Sequence, residues 1–189
     1  MDFNKYIAYN IIDQYGNKKD IMPEVFSLLY KRDYSVRAFE QKLIQKDISP
    51  DDAKNICVIL AEKGYLNDER YALRVTEIYY EKYGIRRVEN ELFKRGLASE
   101  LAKKITKEYY DKERAVDHIY IEIKKILNSF SFQKRLKAGD YDSSKEYRRI
   151  LGKFYRLGYT ISEIKEAMSK SEEFNKDMYI EEDENYNDE

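Results

Sequence analysis

The chain repeats itself at a spacing of 49 residues, and this recurrence restricts what it can fold into. Arg37 to Ile56 (RAFEQKLIQKDISPDDAKNI) aligns without a gap on Arg86 to Ile105 (RRVENELFKRGLASELAKKI). Phe39 falls on Val88, Leu43 on Leu92, Ile44 on Phe93, Ile48 on Leu97, Ala53 on Ala102 and Ile56 on Ile105. A looser copy, RRILGKFYRLGYTISEIKEAM, runs from Arg148 to Met168 and sets Gly158 on Gly96. Apolar residues recur within each copy at helical spacing. Repeats of this kind stack small helical units into an elongated body that binds other macromolecules along an extended surface. The pattern points to a partner rather than to a catalytic pocket.

The units can be drawn from local signals. Phe3, Ile7, Ile11 and Tyr15 stand at i+4 intervals and predict an amphipathic helix within residues 1–19. Repeat one, residues 20–65, should hold helices near 21–32, 36–46 and 50–63. Ser49-Pro50-Asp51-Asp52 is its strongest start signal: a capping hydroxyl, a proline at the first helical position and two carboxylates on the helix dipole. Repeat two, residues 66–110, opens a helix at Asn67 to Arg70, breaks at Gly84 and caps its second helix with Gly96. Repeat three, residues 111–170, opens with Asp111 to Arg114, an echo of Asn67 to Arg70. Capping boxes are expected at Ser143 with Glu146 and at Thr160 with Glu163. A connection over about 129–142, absent from the other repeats, separates its first two helices. The expectation is an all-α, elongated array of three tandem three-helix repeats. Each unit is too small to stand alone and should pack on its neighbours.

Composition agrees. Of 189 residues, 42% are hydrophobic and 38% charged, with 7 Gly and 2 Pro, as in helical proteins with salt-bridged outer faces. The net charge of -1 divides into -8 on residues 171–189 and +7 on residues 1–170. The tail lacks a helical apolar stripe and reads as acidic and disordered. A basic body is compatible with nucleic acid or a nucleoprotein partner. The one cysteine, Cys57, excludes an internal disulfide and lies in an apolar run as an inert core thiol. No apolar run reaches the roughly 18 residues of a membrane span. The first 20 residues are broken by charge, unlike a secretory signal. These features predict a soluble, cytoplasmic chain that makes no membrane contact.

No catalytic constellation emerges. The single histidine, His118, stands on a helix beside the Ile119, Ile123, Ile126 stripe, and with one Cys and one His a zinc site is not expected. No phosphate loop, nucleophile elbow or metal-binding His/Glu pair occurs. Neither an enzyme nor a cofactor is expected. The second helix of each repeat instead carries basic residues outside its apolar stripe: Arg37, Lys42 and Lys46; Arg86, Arg87, Lys94 and Arg95; Arg148, Arg149, Lys153 and Arg156. Read as exposed, they would form a discontinuous ridge suited to phosphates or to an acidic protein groove. Ordinary helix solvation with i,i+4 pairs such as Glu91 and Arg95 explains them equally well.

Gly64 to Ala72 (GYLNDERYA) resembles the GYL(D/N)DERFA signature of the RecX family, bacterial regulators of the RecA recombinase. Lys82 to Leu97 is similar to the segment that follows it there, Leu28 to Ser35 to the family's first repeat, and Leu151 to Met168 to its RxGxxxxxIKxAL element. The likeness covers about residues 24–170. Asp47 stands where that family usually has glycine, and the 129–142 connection is longer than its pattern. The resemblance implies a curved array of three-helix repeats, and the chain is expected to be a monomer. It further implies binding in the groove of RecA filaments on single-stranded DNA, with inhibition of ATPase, strand exchange and co-protease activity.

Two other readings fit the residues. Helix-turn-helix-like units with basic helices, and tyrosines beside them (Tyr79, Tyr80, Tyr83), would suit a protein that binds DNA directly. A tetratricopeptide-type adaptor fits less well, since such repeats recur every 34 or so residues with two helices.

Overall fold

The computed structural model describes residues 8–12, 18–139 and 142–171. They form two compact units. One runs up to Glu77 and takes in Asn90–Ile105; the other takes in Ile78–Glu89 and the chain from Thr106 on.

The first unit opens with a hairpin, β1 (Asn10–Ile12) paired antiparallel with β2 (Lys18–Asp20), Ile11 opposite Lys19. This corrects the expected N-terminal helix at residues 10–12; Phe3, Ile7 and Tyr15, which shared that reading, lie outside the described residues. Tertiary bonds override the local spacing. The Ile21 amide donates to the Tyr9 carbonyl at 2.9 Å, and the Tyr9 hydroxyl donates to Asp52 at 2.9 Å. The helices that follow are α1 (Met22–Lys31), α2 (Val36–Ile44), α3 (Pro50–Glu62), α4 (Asp68–Tyr80), α5 (Ile85–Lys94) and α6 (Ser99–Tyr109). Ser49 caps α3 by accepting from the Asp52 amide at 3.1 Å.

Burial recurs in step with the sequence. Phe39 and Val88, Leu43 and Leu92, Ala53 and Ala102, and Ile56 and Ile105 are all at most 1% exposed. The second unit contains α7 (Lys112–Leu127), α8 (Phe130–Lys137), α9 (Ser143–Arg156) and α10 (Ile161–Ser169) around Ile119, Ile123, Phe154, Ile164 and Met168. Here α8 corrects the reading of 129–142 as a plain connection. It is capped by the Ser129 hydroxyl, which accepts from the Phe132 amide, and is anchored by buried Phe132. The N-cap of α9 is Asp142, not Ser143: its carboxylate accepts from the Lys145 amide at 3.0 Å. One residue of shift removes Glu146 from the capping position, and its buried carboxylate instead meets Arg149 and Arg135.

The expected box at Thr160 is present, with Glu163 donating its amide to the Thr160 hydroxyl and accepting from the Thr160 amide. Glu163 also accepts from the Tyr110 hydroxyl at 2.6 Å, which ties α10 to the end of α6. Ser171 is buried beyond α10; the remaining tail lies outside the described residues.

Each second helix ends in the same turn. Amides of Ile48, Leu97 and Tyr159 donate to carbonyls of Leu43, Leu92 and Phe154, five residues back, at 3.2–3.3 Å. Amides of Asp47, Gly96 and Gly158 donate three residues back to Ile44, Phe93 and Tyr155. This is a Schellman ending, which needs a left-handed residue. Gly96 and Gly158 supply it at φ +84° and +93°, and Asp47 adopts φ +63°. The aspartate therefore keeps the turn at a conformational cost. We expect Asp47→Gly to raise stability by roughly 0.5–1 kcal/mol, the left-handed strain relieved less the added freedom of the unfolded chain. A thermal melt checks this, and an unchanged or lower Tm contradicts it.

Those turns are also where the next repeat attaches. In the first unit Ser35 caps α2 and donates its hydroxyl to the Arg95 carbonyl at 2.5 Å, while the stem of Arg37 lies against Gly96. In the second unit the Gly84 amide donates to the Leu157 carbonyl at 2.9 Å, and the Arg86 amide to the Gly158 carbonyl at 3.3 Å. Gly84 stands 49 residues after Ser35, and Leu157 aligns with Arg95. One joint is thus built twice: the start of a second helix docks on the turn that ends the second helix of the following repeat.

Candidate partner-binding surface

The three second helices, α2, α5 and α9, carry the basic residues singled out in the sequence, and the structure sorts these residues by what they touch. Arg37, Lys46, Arg87, Lys94, Arg148, Arg149 and Arg156 are exposed; Lys42 and Lys153 are half-buried. Arg86 and Arg95 are half-buried as well, which corrects their reading as exposed. The Arg86 guanidinium donates to the Tyr159 carbonyl at 2.7 Å and lies 4.5 Å over the Tyr155 ring. Arg95 is paired with Glu91 and donates to the Tyr71 hydroxyl at 3.1 Å. The cause in both is packing from other parts of the fold, which a reading of one helix face does not register. Both arginines hold the protein's own framework.

Others keep a cation at the surface while bonded locally. Arg87 stacks 4.3 Å over Tyr83 and reaches the Arg156 carbonyl at 3.4 Å. Arg149 is paired with buried Glu146. Lys153 lies 5.3 Å over Phe154. Within the first unit the exposed cations are on α2, in the turn after it and at the end of α5; within the second they are at the start of α5 and on α9. A further basic stretch is visible in the sequence but was not singled out. Residues 123–137 hold Lys124, Lys125, Lys134, Arg135 and Lys137 with no acid, and the structure folds the last three onto α8.

Among the described residues no group of three or more His, Cys, Asp or Glu side chains is placed to hold a metal ion. Burial pushes the Cys57 thiol up to about 12, so it stays protonated and unreactive. Among the described residues no helix is long and apolar enough to cross a membrane.

His118 borders a shallow hollow lined by Tyr80, Glu81, Arg114, Ala115 and Tyr159. Its Nδ1 lies 2.7 Å from the Tyr159 hydroxyl, and burial holds its pKa below the ordinary histidine value. Burial also keeps the Tyr159 phenol protonated, so the pair is a neutral hydrogen bond whose donor is set by the imidazole tautomer. Because the folded state disfavours the protonated imidazole, the unfolded chain takes up more protons below about pH 6.5. The stabilisation is therefore complete above that pH and is lost as pH falls through the folded value. Chemical denaturation at pH 7.5 and 5.5 should show the loss, and His118→Gln should reduce it; an equal slope in both proteins contradicts this assignment.

No family model matches the chain. Three curated proteins are similar to it, each named regulatory protein RecX. The one from Caldanaerobacter subterraneus is 29% identical over 143 residues, 75% of this chain and 73% of its own length. That from Trichlorobacter lovleyi is 28% identical over 145 residues, 76% and 90% of the two chains. That from Vibrio parahaemolyticus is 29% identical over 148 residues, 77% and 88%. Among solved structures, the crystal structure of RecX from Lactobacillus salivarius superposes with a TM-score of 0.68 at 17% identity, over 78% of this chain and 92% of that one. This last likeness shows that the helical-repeat fold is shared.

Proposed function

From the premise that the chain is a relative of the RecX regulatory proteins, we propose that it is a negative modulator of the RecA recombinase. It binds the groove of the RecA filament on single-stranded DNA and suppresses ATP hydrolysis, strand exchange and co-protease activity. The observation that carries this reading beyond the relatives' names is the joint built twice, at Ser35 with Arg95 and at Gly84 with Leu157. A chain that reuses one joint offers recurring helices, and recurring helices suit a partner whose subunits recur. Several modest contacts to one polymer then act together, because each raises the effective concentration of the next. The exposed cations Arg37, Lys46, Arg87, Lys94, Arg148, Arg149 and Arg156, with half-buried Lys42 and Lys153, are the residues through which an acidic groove or phosphate would be met. Arg86 and Arg95 support those positions from beneath.

A second reading, direct DNA binding, is favoured by the acid-free basic run that ends in α8. Co-sedimentation separates the two. Retention on RecA filaments assembled with a slowly hydrolysed ATP analogue, at a salt concentration where bare single-stranded DNA retains nothing, supports the modulator. Equal retention on both, falling steeply with salt, supports DNA binding.

A further inference from the structure

The repeat alignment that sets core residue on core residue also sets one exposed apolar residue on another. Ile44 aligns with Phe93 at the 49-residue spacing, and the register of Gly158 on Gly96 sets Tyr155 on both. The three are exposed to nearly the same degree, 39%, 37% and 41%. Each lies three residues before the left-handed residue that closes its helix, and its carbonyl accepts the amide of that residue. Single exposed apolar residues are ordinary and call for no explanation. Here the same backbone position is filled three times by a large apolar side chain, although its neighbours in the alignment change freely. Gln45, Lys94 and Arg156 follow it, and Lys42, Glu91 and Lys153 stand two residues before it. The buried stripe runs through Phe39 and Leu43, Val88 and Leu92, and Ile150 and Phe154 and does not include this position, although Tyr155 also carries the Arg86 guanidinium over its ring.

We propose that Ile44, Phe93 and Tyr155 are equivalent apolar contacts, one per repeat, each seating in an apolar socket rimmed by carboxylates on successive subunits of a protein polymer. The argument for protein over nucleic acid lies in the first repeat. Isoleucine has no π face on which a base could stack. What the three positions share is apolar volume, and each also has an exposed cation within two residues, though not at one register: Lys46 after Ile44, Lys94 after Phe93 and Arg156 after Tyr155. An apolar anchor within a charged rim is the usual composition of a protein contact, and the sign of the rim selects an acidic partner. The inference rests on the RecA-filament reading for the identity of the polymer, and it deepens that reading by naming the anchors.

The test is binding of the full-length chain and its variants to RecA filaments on single-stranded DNA, followed by fluorescence anisotropy. Ile44→Ser, Phe93→Ser and Tyr155→Ser should each weaken binding about tenfold, the scale of one apolar anchor withdrawn from a socket. The triple variant should lose about the product of the three. Thermal melts monitor folding, and Phe93→Leu, which keeps the volume without the ring, should retain affinity. If the wild type binds filaments and the folded triple variant binds them equally well, the anchors are wrong and the modulator reading stands. If Phe93→Leu loses as much as Phe93→Ser, stacking is at work and the socket is overturned. If the wild type does not bind filaments, both readings fall together.

Discussion

Replacing Gly158 by alanine should lower stability by about 3 kcal/mol and Tm by roughly 10 °C. Two effects add. Gly158 holds φ +93°, where a side chain on Cα meets its own backbone; this contributes about 1–2 kcal/mol. The added Cβ would also sit 2.5 Å from the Arg87 amide nitrogen and 2.6 Å from its Cβ, atoms fixed in the first turn of α5. Backbone cannot swing aside as the end of a long side chain can, so the joint between the second and third repeats must open. Gly84→Ala attacks the same place from the other side, since its Cβ would overlap the Gly158 carbonyl. The two substitutions should therefore be strongly non-additive: once the joint is open, the second adds little. Gly64→Ala is the control. It also has positive φ, at +75°, but nothing lies within 4 Å of its added Cβ, so only the strain of about 1 kcal/mol is expected. Thermal melts of the wild type, the three single variants and the Gly84/Gly158 double variant decide the matter, and equal losses for Gly64→Ala and Gly158→Ala would show that the joint is loose.

The second large effect is on binding and leaves folding intact. Reversing Lys46, Lys94 and Arg156 together to glutamate should weaken filament binding on the order of 100-fold, at about 1 kcal/mol or somewhat less for each cation turned against an acidic groove. All three side chains are exposed. Surface changes of this kind ordinarily alter stability by no more than about 0.5 kcal/mol each. Arg86→Gln and Arg95→Gln should behave in the opposite sense. They remove bonds to the Tyr159 carbonyl and the Tyr71 hydroxyl and so lower Tm, with affinity changing only as far as the framework loosens. Anisotropy titrations beside melts separate the two sets. Full affinity in the folded triple variant would remove these cations from the interface.

The helices were legible because their signals are local. Ser49 with Pro50, and Thr160 with Glu163, act within one turn of chain, and both caps are present where the residue types place them. The 49-residue register was legible because burial enforces it, from Phe39 and Val88 to Ile56 and Ile105. What escaped reading depends on residues distant in sequence. The hairpin at Asn10–Ile12 is tied down by Ile21 and Asp52, so i+4 spacing around Ile11 was misleading. The N-cap of α9 is Asp142 rather than Ser143, and Glu146 pairs instead with Arg135 from α8, an element whose eight residues offer too short a pattern to read. Arg86 and Arg95 looked like surface cations on a helical wheel; the acceptors that claim them lie 73 and 24 residues away along the chain. The exposed apolar position at Ile44 and Phe93 was visible in the alignment, but only the structure distinguishes it from the core positions beside it.

The most direct measurement is the DNA-dependent ATPase of a bacterial RecA on single-stranded DNA, titrated with this protein, with binding to the same DNA alone followed in parallel. The account predicts inhibition that is substantial well below one molecule per RecA protomer, at concentrations where bare DNA is not bound. An undisturbed ATPase, together with salt-sensitive binding to DNA alone, would contradict it.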